Sequence, residues 1–240
     1  MSEDISALFT VSIYVEAMLG LLLLYTWVQK PEIKAVAWWG SADLLRAGSI
    51  ALFGSFGSLP EVITVDAANA ILLMSFAVTW AGIRLFGGRS INFTFVLAGP
   101  IIWKIFSMVP VVAESEALCS LLSSGIIAAY LWLAAAELWR LNEGRLVSRL
   151  PAFFILFAQG ALFLMRTPLG VLMPHPDGSA TVFGSIWLTV LSSQALMLTV
   201  AIAFVLMAMA KERGGHMQKT LIDRLGGIPD QHGLMTKIMG

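Results

Sequence analysis

The stretch ALCSLLSSGIIAAYLWLAAAELW, residues 117–139, decides how the rest of the chain is read. Its only charge, Glu137, lies close to its end. As an α-helix rising about 1.5 Å per residue it is long enough to cross the roughly 30 Å hydrocarbon core of a bilayer. Acidic residues, Glu114 and Glu116, precede it, and basic residues, Arg140, Arg145 and Arg149, follow it. Working outward, comparable apolar stretches occur at 7–28, 36–58, 62–86, 92–113, 150–173 and 183–210. The breaks between them are short and carry turn chemistry: Lys30-Pro31, Leu59-Pro60-Glu61, Gly87-Gly88, Asn142-Glu143-Gly144 and Pro174-His175-Pro176-Asp177-Gly178. Short breaks make neighbouring helices antiparallel. The expectation is an all-α integral membrane bundle of about seven transmembrane helices.

Composition agrees. Of 240 residues, 58% are hydrophobic and 12% charged, and that charged share is about half that of a soluble domain. Apart from Arg46, Lys104 and Arg166, which fall well within the apolar stretches, every one of the 15 basic residues lies in the tail or in, or within three residues of, one alternate set of connections. The other set holds Glu3, Asp4, Glu61, Asp66, Glu114, Glu116 and Asp177. The positive-inside rule then places the N-terminus outside and the C-terminus in the cytoplasm. Trp27, Trp38, Trp39, Trp80 and Trp139 fall near the proposed inner boundary, where an interfacial belt would sit. The acidic start Met1-Ser2-Glu3-Asp4 lacks the positive n-region of a secretory signal, so the first stretch reads as a retained helix. Residues 1–210 form the expected membrane domain and 211–240 a cytoplasmic tail, too short for an independent core.

Charges inside spans are costly, about 2.5 kcal/mol or more each at mid-bilayer on insertion scales, and mark places where function concentrates. Asp43 and Arg46, three apart, pair on one helix face, a self-neutralising arrangement. Glu16, Lys104 and Arg166, with Asn69, Gln159 and Gln194, are candidates to line an outward-facing pocket for a small polar or anionic ligand; the alternative is buried pairs that fix helix register. Other chemistries are disfavoured. No lysine in 183–210 offers a retinal Schiff base, and His175, His216 and His232 lie outside the spans, away from any membrane haem. Cys119 is the sole cysteine, which excludes an internal disulfide and a cysteine metal site. No phosphate-cradling loop or nucleophile elbow is present. No cofactor, metal, catalytic residue or nucleic-acid partner is expected. Transport is the rival reading, with Gly99-Pro100 and Pro110 as broken-helix candidates.

The junction after the last span reads Ala208-Met209-Ala210-Lys211-Glu212-Arg213, followed later by Asp223-Arg224-Leu225-Gly226-Gly227-Ile228-Pro229-Asp230-Gln231-His232. It resembles the AKER linker and the D-x-L-T-G-L-P-N-R-R opening of bacterial GGDEF-type diguanylate cyclases. Similar scraps recur in order through the membrane part: Ala37-Trp38-Trp39-Gly40, Ala68-Asn69-Ala70-Ile71-Leu72-Leu73, Trp80 to Arg89, Ala98-Gly99-Pro100, and Ala128-Ala129-Tyr130 with Glu137-Leu138-Trp139-Arg140. The resemblance implies a membrane-embedded sensory module of a cyclic di-GMP signalling protein in the bacterial inner membrane, acting as a homodimer, with Lys211, Glu212 and Arg213 in the signalling linker. Asp223, Leu225, Gly227, Ile228 and Pro229 match the opening signature. Gly226 replaces its threonine, Asp230 its guanine-contacting asparagine, and Gln231 and His232 its arginines. With Gly240 reached before any GG(D/E)EF loop, the chain is expected to be catalytically inactive. Gly214-Gly215 is expected to interrupt the linker helix, at about 1 kcal/mol per glycine relative to alanine. The alternative for 211–240 is a disordered tail whose basic residues hold it to anionic lipid.

Overall fold

The computed structural model describes residues 3–55, 62–141, 146–172 and 186–226. Among them every regular element is helical: α1 (Glu3–Gln29), α2 (Lys34–Gly54), a π-helical turn (Val62–Ala67) leading into α3 (Ala68–Phe86), α4 (Phe93–Ser107), α5 (Pro110–Ala113), α6 (Glu116–Arg140), α7 (Arg149–Leu172) and α8 (Ile186–Gly226). Each apolar stretch of the sequence thus contains a helix. Four carry windows long and apolar enough to cross a membrane: Phe9–Gln29, Val65–Phe86, Ala117–Arg140 and Arg149–Arg166. Their outward faces present Tyr14 and Met18 of α1, Leu133 of α6, and Phe154 and Phe157 of α7, with Phe204 on α8, all exposed. So much contiguous apolar exposure suits hydrocarbon rather than water.

The helix ends follow local chemistry. Pro31, which lacks an N–H and biases its predecessor away from helix, stops α1 at Gln29. Gly88, at φ 72°, supplies the left-handed residue that turns the chain after α3. Asn92 caps α4 by accepting from the Thr94 N–H at 3.1 Å. Ser115 does the same for α6, accepting from the Leu118 N–H at 3.4 Å.

α3 is the hub, packed against α2, α4 and α6. Within its apolar window 61% is buried, against 22% for α1 and α7 and 33% for α6, so it is the helix the others enclose. Trp39 lies across Gly82 of α3, where an added Cβ would fall 2.6 Å from the indole nitrogen, and its ring packs on Phe86 at 5.6 Å. Trp80 is also interior, 6.2 Å from Tyr130. The interfacial belt expected of the five tryptophans therefore does not form as a set. Trp39 is buried where α2 crosses Gly82 of α3, Trp80 is buried on the α3 face that meets Phe95 of α4 and Tyr130 of α6, and Trp139 is exposed.

The fourth apolar stretch is two helices. α4 spans 15 residues, about 22 Å at 1.5 Å per residue, and the break falls at Met108–Val109, with Pro110 in the first turn of α5. At Gly99-Pro100, by contrast, α4 continues, so that half of the expected broken-helix site is corrected. The Tyr130 hydroxyl inserts there, accepting from the Gly99 N–H at 2.8 Å and donating to the Phe95 carbonyl at 2.8 Å. It takes up both the donor and the acceptor of that i to i−4 pair, and Gly99 leaves the room it occupies. Tyr130→Phe is expected to strand both backbone groups and cost about 1–3 kcal/mol in a denaturation measurement in detergent.

Candidate functional site

α1 and α2 form an antiparallel hairpin across the loop at 30–33, and two glycines set their separation. A Cβ on Gly20 would lie 2.9 Å from the Gly40 carbonyl oxygen, and one on Gly40 would lie 2.8 Å from the Gly20 carbonyl oxygen. Small residues facing each other let transmembrane backbones approach closely. Glu16 lies one turn from Gly20 on the same face of α1, and Asp43 and Arg46 continue the Gly40 face of α2. The close crossing therefore brings these three charges together inside the bundle.

Arg46 Nη1 donates to Glu16 Oε2 at 3.0 Å and to Asp43 Oδ1 at 3.1 Å. From α3, Thr79 Oγ1 accepts from Nη2 at 3.4 Å and itself donates to the Ser75 carbonyl at 3.0 Å. The Phe76 ring lies 4.8 Å from the guanidinium carbon, a cation–π contact in a desolvated setting. Glu16, Asp43 and Arg46 are 2%, 7% and 6% exposed, so neither lipid nor bulk water solvates them. One guanidinium thus faces two carboxylates, and its Nε–H, also buried, has no acceptor among the described residues.

The six pocket candidates do not converge. Glu16 belongs to the Arg46 cluster. Lys104 bonds Asp66 Oδ2 at 2.7 Å on a half-exposed surface. Asn69 donates to the Val65 carbonyl at 2.9 Å, satisfying an acceptor within the wide π turn. Gln159, buried in α7, donates to Thr199 Oγ1 of α8 at 3.1 Å. Gln194 is exposed on α8. Arg166, half-buried in α7, forms no ion pair among the described residues. Asp43–Arg46 pairs as its spacing requires, yet it is half of a larger cluster. The antiparallel hairpin carries the missed signal, because Glu16 and Arg46 lie at nearly equal chain distances from the Pro31 turn.

A second constellation gathers where α8 leaves the bundle. Arg84 and Arg89 both bond Glu137, at 3.1 and 2.9 Å, tying the α3–α4 turn to α6. Ser148 Oγ donates to Glu212 Oε1 at 2.7 Å. Arg213 donates to the Phe86 carbonyl and lies 4.7 Å over the Phe86 ring. Cations at a helix C-terminus are favoured by its exposed carbonyls. Lys211 is exposed. The linker expected to break at Gly214-Gly215 does not: α8 runs unbroken from Ile186 to Gly226. The glycine penalty of about 1 kcal/mol each is of the size that hydrogen bonds from charged groups such as Glu212 and Arg213 offset, and a Cβ on Gly214 would lie near Lys30 and Ile33. The helix also crosses the 210/211 domain boundary without interruption. Asp223 and Leu225 fall on its last turn, whereas Gly227 and Asp230 lie outside the described residues.

No group of three or more metal-ligating side chains exists among the described residues. Comparison with protein-family models, curated proteins and solved structures found no match.

Proposed function

We propose that the chain is the sensory input module of a cyclic di-GMP signalling protein, embedded in the bacterial inner membrane by seven helices, N-terminus outside and C-terminus in the cytoplasm. The observation that carries this reading is α8 itself. It is one helix of 41 residues that begins beside α7, is fastened by Glu212 and Arg213 to Ser148 and Phe86, and continues to Gly226. Movement of α3 or of the α6–α7 connection would reach those anchors directly, and an unbroken helix carries displacement along its axis. Across a homodimer the same displacement would reposition paired output domains. The orientation is supported by the gathering of Arg84, Arg89, Arg149 and Arg213 at one end of the bundle, while Asp66 and Glu114 lie at the other.

The test fuses residues 1–225 to an intact cyclase domain and measures cyclic di-GMP in cells. Membrane-dependent output is expected, and Arg213→Ala is expected to change it about tenfold, equivalent to ~1.4 kcal/mol of coupling. Output equal to that of the free cyclase domain, and untouched by Arg213→Ala, would overturn the reading. Solute flux through the purified chain in proteoliposomes would favour transport instead.

A further inference from the structure

We propose that Glu16, Asp43 and Arg46 form a proton-binding site that holds one exchangeable proton between two carboxyl groups. The geometry is that of a charge imbalance enclosed by protein. Arg46 bonds both carboxylates through the same Nη1, and all three side chains are nearly excluded from solvent. With every group ionised the cluster carries one uncompensated negative charge, a costly state in a medium that solvates charge poorly. Among the described residues Arg46 is the cation paired with both carboxylates, and no other forms an ion pair with either. From α3 the cluster meets Thr79 and the Phe76 ring, neither of which titrates in this range. The π turn contributes Asp66, which is already engaged with Lys104. The apolar part of α8, residues 186–210, contains no Asp, Glu, Lys, Arg or His. On α1, Tyr14 and Tyr25 are exposed, and Lys34 lies three turns before Arg46 on α2. One proton delivered by hydronium, which departs as water, forms an O–H bond on a Glu16 or Asp43 oxygen, neutralises the cluster and leaves the other carboxylate paired with the guanidinium.

A second observation points the same way. The Arg46 Nε–H is buried and has no acceptor among the described residues. Buried donors of this kind are satisfied by internal water, and a water at Nε would supply the exchange route that the side chains alone do not. Two carboxyls sharing one proton titrate as a unit rather than as separate residues.

The proposal stands on this geometry whether or not the sensory reading holds, and its test reads the proton directly. The full chain is reconstituted in nanodiscs, and infrared difference spectra are recorded between about pH 5 and pH 9 in H2O and D2O. The wild type is expected to show one deuterium-sensitive protonated carboxyl that is lost as pH rises. Glu16→Gln and Asp43→Asn are each expected to abolish it, because the remaining carboxylate is then balanced one to one by Arg46. Persistence of the band in either variant would show that charge imbalance does not hold the proton, and would overturn the proposal. Should an isosteric variant fail to accumulate, the wild type alone decides, since no deuterium-sensitive carboxyl at any pH in the range sinks the site. Sodium is the control ion: a band suppressed equally by sodium at constant pH would assign the site to a monovalent cation instead.

Discussion

Replacing Arg46 with methionine is expected to destabilise the chain by about 3–5 kcal/mol. The guanidinium is the common partner of Glu16 and Asp43, at 3.0 and 3.1 Å, and the donor to Thr79. Its removal leaves two carboxyl groups facing each other with no cation, and the Phe76 ring without the charge it covers. The effect belongs to stranded charge rather than to lost volume. The triple variant Arg46→Met, Glu16→Gln, Asp43→Asn is therefore expected to recover most of the loss, since removing a whole buried charge group is far less harmful than removing one member. Lys104→Met supplies the contrast. Its partner Asp66 is 29% exposed and its own side chain 54% exposed, so water screens the pair, and the expected change is about 0–1 kcal/mol. Unfolding in mixed detergent, followed by helical circular dichroism, measures all three. Equal losses for Arg46→Met and Lys104→Met would refute the distinction.

The helices were legible in the sequence because a helix's length and apolarity are local properties. Proline and glycine punctuation placed the ends of α1 and α3, at Pro31 and Gly88, within a few residues. The grouping of the charges was not legible, because it depends on which faces meet. Glu16, Lys104 and Arg166 looked alike as charges inside apolar stretches, but helix pairing separates them: Glu16 goes to Arg46 through the α1–α2 crossing, and Lys104 goes to Asp66 at the mouth of the π turn. Gly99-Pro100 misled for a related reason. A broken helix and a helix repaired from outside share the same sequence signature, and only Tyr130, 31 residues further along, tells them apart. Gly214-Gly215 misled because propensity describes an isolated helix. Contacts from Glu212 to Ser148 and from Arg213 to Phe86 hold the preceding turn whatever the glycines prefer.

Gly40→Leu is expected to produce the second large loss, about 3 kcal/mol or more, and to do so by dismantling the charge cluster from a distance. A Cβ at Gly40 meets the Gly20 carbonyl oxygen at 2.8 Å, and the Leu24 amide nitrogen lies 3.0 Å away. Backbone cannot rotate aside as a side chain would, so α1 and α2 must separate. Close packing across Gly20 and Gly40 and the Glu16–Arg46 contact hold the pair, so that movement forfeits both. Separation lengthens the Glu16–Arg46 contact, whose 3.0 Å distance has almost no slack, while Asp43–Arg46, within α2, survives. A double-mutant cycle between Glu16→Gln and Arg46→Met then distinguishes cause from consequence. In the native background the two residues are expected to be strongly coupled, and in the Gly40→Leu background the coupling should fall towards zero. Coupling that persisted there would mean that the hairpin tolerates the leucine by local adjustment, and that the charges rather than the glycines hold α1 against α2.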